Sequence, residues 1–175
     1  MATATGKLSR ERILDAAGRL VENDGLEGLS MRRLAQELDV WPMSVYRYFQ
    51  DKDALLDALA GNAVASVGAD RGRGSWEKRL RSLLAELRKA IEAQPAGMQQ
   101  RIAASVAGPE EAVVSDKALA LLGEAGLPPA EAGHAWQALL GFTFGVSALD
   151  GGGEEAFEYG LGRLLQGIVP GEPPN

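Results

Sequence analysis

The sequence predicts an all-α protein, and three observations predict it. Apolar residues recur at spacings of three and four instead of alternating, so they line helix faces and not strand faces. Capping residues precede these stripes, and glycines and prolines end them, at intervals of one helix length. With 175 residues, of which 46% are hydrophobic, the chain has enough apolar material to bury a sizeable core.

Each helix has a start and a stop. Ser9 is placed to cap the first, whose stripe is Ile13, Leu14, Ala17, Leu20 and Val21, and Asn23-Asp24-Gly25 ends it. Ser30 caps the second, with Leu29 and Leu34 set to form a hydrophobic staple across the cap, and this helix is expected to reach about Leu38. Pro42 suits a first helical position, where its missing N–H is no loss, so a third helix covers about Pro42 to Tyr48. Asp51 caps a fourth, running through DKDALLDALAGNAVASV at 51–67. The stretch GADRGRG at 68–74 reads as a loop or linker and puts a domain boundary near Gly61 to Gly74.

Ser75 caps a fifth helix with Leu80, Leu83, Leu84, Leu87 and Ile91 on one stripe, ended near Pro95. Shorter helices are expected from about Ala96 to Val106 and from Pro109 to Glu124. Pro128-Pro129 opens a long apolar helix to about Leu149, the glycines at 151–153 end it, and Glu154 to Ile168 forms the last. No internal repeat is present. The expected division is 1–60, a three-helix domain, and 61–175, a second helical domain.

Composition excludes several classes of function. Zero cysteines rule out disulfides and thiolate metal sites, and the single histidine, His134, rules out any site that needs two imidazoles. No nucleophile with a base, paired-carboxylate constellation or glycine-rich phosphate loop is found, so neither enzyme activity nor a cofactor is expected. No apolar run is long enough to cross a bilayer, and MATATGKLSRER carries no apolar signal core, so the expected location is cytoplasmic.

Residues 30–49 have the parts of a helix-turn-helix: a positioning helix, a tight turn and a second helix whose outer face fits the major groove. Leu34, Ala35 and Leu38 turn inward from the first of these helices, Val45 and Phe49 from the second. That leaves Trp41, Met43, Ser44, Arg47 and Tyr48 outside, where an ordinary solvated helix would show Glu, Lys and Gln. Apolar and aromatic groups beside an Arg suit thymine methyls, sugar edges and phosphates.

Net charge argues mildly against this reading. The whole chain is at −6, and residues 1–60 hold eight Lys and Arg against ten Asp and Glu. Placement argues for it, because Lys7, Arg10, Arg12, Arg32, Arg33, Arg47 and Lys52 fall at helix starts or on the reading helices. The acidic groups gather at Glu22 to Glu27 and Glu37 to Asp39, where they close turns.

The run IL-DAA through LSMRRLAQELDV, followed by YRYFQDKDALL, resembles the N-terminal domain of the TetR family without a gap over about residues 8–60. Farther on, Ser75-Trp76, Gly141-Phe142-Thr143-Phe144-Gly145 and Glu155-Ala156-Phe157 with Gly160, Leu161 and Leu164 are similar in patches to the tetracycline repressors. The resemblance implies that Arg32 reads a base and that Pro42, Met43 and Ser44 meet bases. It also implies that Tyr46, Tyr48 and Lys52 hold phosphates, with Ser30, Arg33, Trp41 and Arg47 in the same interface. Asp39 stands where the family turn usually has Gly, and Asp tolerates the left-handed conformation such a turn needs.

The resemblance further implies a C-terminal domain that binds an effector and dimerises. Candidate ligand residues are Met98, Gln99, His134, Trp136, Gln137 and Thr143, each weighed against an ordinary place in the core. A small-residue face, Ala138, Gly141, Gly145 and Ala148, is expected to pair with its copy together with Phe157, Leu161, Leu164 and Ile168; close packing within one chain is the alternative. The expected function is a ligand-responsive regulator, a homodimer on double-stranded palindromic DNA that an unknown small molecule releases. The alternatives are a helical carrier or enzyme without DNA binding and, more weakly, a nonspecific nucleoid protein. Tetracycline is not the expected effector, because the tetracycline repressors hold its Mg²⁺ through histidine and RIAAS at 101–105 contains none.

Overall fold

A computed structural model describes residues 7–68, 73–107, 113–149 and 153–168. The described residues form helices α1 (Arg10–Gly28), α2 (Met31–Glu37), α3 (Pro42–Tyr46), α4 (Lys52–Val64), α5 (Trp76–Glu92), α6 (Ala96–Ala107), α7 (Val113–Glu124), α8 (Pro129–Ala148) and α9 (Glu154–Ile168), with no strand among them. Two compact units divide the chain, Met1–Asn62 and Ala63–Asn175. The division therefore falls inside α4. Pro109, expected to start the seventh helix, and the first two of the glycines at 151–153 lie outside the described residues.

In the first unit the expected caps are made. Ser9 Oγ accepts from the Arg12 amide at 3.2 Å, Ser30 Oγ from the Arg33 amide at 3.2 Å, and Asp51 Oδ1 from the Ala54 amide at 2.8 Å. Each satisfies one of the amides that a helix start leaves without a partner. Gly25, at φ 71° and ψ 178°, breaks α1 where the sequence predicts a stop, and one further turn carries it to Gly28. Asp39 takes the left-handed conformation at φ 54° in the turn between α2 and α3. Ile13, Ala17, Leu29, Leu34, Ala35, Val45, Phe49 and Leu55 are buried and make the centre of this unit.

Its remaining ties are long in sequence. The Arg10 guanidinium lies 4.4 Å from the centre of the Phe49 ring, a cation–π contact. Tyr48 donates its hydroxyl hydrogen to the Leu8 carbonyl at 2.6 Å. Lys52 Nζ donates to the Leu26 carbonyl at 2.9 Å, just past the break in α1.

In the second unit α5 packs against α6, α7 and α8, and α8 also packs against α6, α7 and α9. The predicted α5 stripe, Leu80, Leu83, Leu84, Leu87 and Ile91, is buried throughout. Trp136 Nε1 donates to Ser115 Oγ at 3.0 Å, and Ser115 Oγ donates to the Val106 carbonyl at 2.7 Å, so a relay joins α8, α7 and the end of α6. Arg79 pairs with Glu124 at 2.8 Å, and Arg81 with Glu158 at 3.4 Å, tying α5 to α7 and α9. Phe142 and Phe157 stack with centroids 5.6 Å apart, and a Cβ on Gly160 would meet the Phe142 ring at 2.6 Å. The close approach of α8 to α9 thus uses Gly160, not the glycines of α8.

Candidate nucleic-acid interface

The helix-turn-helix is built from short local rules. The Ser30 cap starts α2, Asp39 turns the chain, and Pro42 at the first helical position starts α3. Leu34, Ala35, Leu38, Val45 and Phe49 are all buried, as their spacing requires, and this fixes which side of α3 faces out. On that side Trp41 is 84% exposed and Met43 72%. Arg32, Tyr46 and Arg47 are exposed as well, and Pro42 and Ser44 half-buried. The side chains of Arg32 and Arg47 make no hydrogen bond or ion pair among the described residues.

The structure narrows the predicted contact set. Tyr48 gives its single hydroxyl hydrogen to the Leu8 carbonyl, so a phosphate would have to take that donor from Leu8. Arg33 is held by Asp24 at 2.6 Å, although both side chains are partly exposed. Lys52, half-buried, already gives one hydrogen to Leu26, which leaves two of its three donors. Ser30 keeps its capping role. The third helix is also shorter than predicted, ending at Tyr46, with Arg47 as its C-cap.

The second-unit candidates differ in exposure. Met98, Trp136 and Thr143 are buried, Gln99 is half-buried, and His134 and Gln137 are exposed. Thr143 Oγ1 donates to the Leu139 carbonyl at 2.8 Å and the Trp136 indole to Ser115, so both have partners inside the chain. Phe157 and Leu161, placed by the sequence in an interface between copies, are buried in their own core beside α8. Ala138, Gly141, Gly145 and Ala148 are exposed, and a Cβ on either glycine would meet nothing within 4 Å. Sequence reasoning missed Tyr159, 68% exposed with Arg163 at 5.4 Å from its ring centre. Their spacing of four, out of register with Phe157, Leu161 and Leu165, is the signal that marks them as outward.

With this geometry in place, the comparisons with known proteins decide the family. Residues 13–59 match the family described as bacterial regulatory proteins, tetR family, and residues 68–153 match the tetracyclin repressor-like C-terminal domain. The chain belongs to the TetR family. The HTH-type transcriptional repressor DrrR1 of Streptomyces coeruleorubidus is 32% identical over 142 residues, 80% of this chain and 53% of that protein. The tetracycline repressor protein class C of Escherichia coli is 33% identical over 144 residues, 80% and 65% respectively. The chain therefore spans between about half and two thirds of these TetR-family relatives. A crystal structure of BioQ with its natural double-stranded DNA operator is 26% identical, with TM-score 0.69, covering 94% of this chain and 100% of that one. Residues 30–49 lie wholly within the N-terminal TetR match, and α9 lies beyond the C-terminal one.

Proposed function

We propose that the chain is a ligand-responsive repressor. A two-fold dimer places α2 and α3 of each copy in successive major grooves of a palindromic operator, about 34 Å apart. The observation that carries this reading is the exposed Trp41, Met43, Arg47 face of α3, with Arg32 beside it, inside a segment that matches the family's regulatory domain. Arg32 and Arg47 are free to reach a guanine or a phosphate, and Pro42, Ser44 and Tyr46 lie on the same approach. Lys52 at the start of α4 adds its charge to the helix N-terminus for the backbone.

The dimer face in this reading is the outer side of α8. Gly141 and Gly145 cost about 1 kcal/mol each in a helix interior, and no neighbour among the described residues accounts for them. Close approach of a second copy does, with Leu164, Ile168 and Tyr159 of α9 alongside. Phe157 and Leu161 support that face from beneath.

The effector is a small molecule taken by the second unit, as the C-terminal match supports. A coupling of about 1–3 kcal/mol lowers operator affinity 5- to 150-fold. Tetracycline itself is disfavoured, since the one histidine, His134, is exposed. No described helix is long and apolar enough to cross a membrane, and a repressor works in the cytoplasm with the DNA.

Selection of bound duplexes from a random pool by the full-length protein tests the reading. A common palindrome is expected, with a steep fall of log affinity against log salt. Failure to enrich any common site removes the operator reading, and a site without two-fold symmetry removes the dimer.

A further inference from the structure

The outer face of α3 restricts which base edges it can recognise. Between Trp41 and Tyr48 there is no Asn or Gln, the side chains that pair with adenine, and no Asp or Glu, which accept from cytosine. Arg47 and Arg32 match guanine. The bidentate pair with adenine is thus unavailable to this face, and the thymine side of an adenine–thymine pair offers it the 5-methyl group, the apolar feature of the major groove.

Two residues are shaped for that group. Trp41 and Met43 are the two most exposed large hydrophobic residues among those described, whereas Met31, Met98 and Trp136 are buried and Trp76 is half-buried. The chain thus places its other described methionines and tryptophans against protein and leaves these two for something else. Met43 is unbranched, with a polarisable thioether that adapts to a small apolar partner. It occupies the second position of α3, immediately after Pro42, in the N-terminal part of the reading helix that reaches base edges.

We propose that Met43, flanked by Trp41, recognises the 5-methyl group of a thymine in each half-site, an inference that rests on the operator reading above. Trp41 covers the contact and excludes water from it. The operator under α3 then combines guanine, read by arginine, with thymine, read by methionine.

The test takes the duplex selected by the full-length protein and replaces thymines one at a time with deoxyuridine, which removes only the methyl group. At one thymine per half-site, affinity is expected to fall about 4-fold per methyl, the size of one buried methyl group. The exposed-site variant Met43→Ala is expected to bind the thymine and uridine duplexes equally, and Met43→Leu to restore the difference. Equal binding of every uridine duplex by the unaltered protein overturns the proposal while the operator reading stands. A Met43→Ala protein that still prefers thymine by the same factor also overturns it. Absence of any selected duplex removes the operator reading, and the proposal with it.

Discussion

The two units differ in which residues they leave exposed. In the first, polar groups hold the scaffold together, as Tyr48 binds Leu8, Lys52 binds Leu26 and Arg33 binds Asp24, while a tryptophan and a methionine stand in solvent. In the second, Trp136 is 5% exposed, its indole satisfied through Ser115, and α8 leaves glycines and alanines outside, with Leu149 just past its end and Tyr159 of α9 as the large exposed groups nearby. Large exposed apolar groups advertise a partner because water solvates them poorly. Small ones do not, since an exposed glycine looks the same whether a partner covers it or not. The exposed face of the first unit therefore stands out on a single chain, and the small residues of α8 do not; a second copy over α8 is part of the proposal above.

The contrast can be broken at its foundation by emptying the first unit's core. Leu34→Ala removes a fully buried side chain and is expected to lower stability by about 2–5 kcal/mol, read by calorimetry, and to abolish selective duplex binding. If that variant still binds its operator as before, the burial pattern does not hold the reading face in place.

The second unit is probed by two kinds of glycine. Gly160→Ala drives a Cβ into the Phe142 ring, which is backed by Phe157, and should cost about 1–3 kcal/mol at any protein concentration. Gly145→Leu has open space within the chain, so its effect on the melting temperature should depend on protein concentration, as for a dimer face. Concentration-independent loss in both would return α8 to an ordinary surface.

At the DNA face, Arg32→Ala should leave stability unchanged and cost about 1–3 kcal/mol of operator affinity at one position per half-site. An even loss across all sequences would make Arg32 a phosphate contact. The smallest effect belongs to Tyr48→Phe, which removes the bond to Leu8 and should lower stability by about 0.5–1.5 kcal/mol. The salt slope of duplex binding should stay the same; a shallower slope would return Tyr48 to the phosphates.

The helix starts, the caps at Ser9, Ser30 and Asp51, and the inward set of Leu34, Val45 and Phe49 were readable from the residues alone, whereas the ends of α1, α3 and α4 differ from the reading by a few residues. Each depends on neighbours within one or two turns, and periodicity reports that range directly. The exposure of Trp41, Met43 and Arg47 was legible for the same reason, as the complement of a buried stripe, whereas Arg32 was singled out by the family resemblance. The fates of Arg33, Lys52 and Tyr48 were not, because their partners lie 9, 26 and 40 residues away. The direction of Phe157 and the close approach at Gly160 were hidden likewise: α8 and α9 meet through Phe142, and which faces meet is set by packing between helices. Local chemistry wrote the helices and the exposed reading face into the sequence, whereas the pairing of distant groups required the chain to be folded, since only then do a donor and its acceptor come within reach.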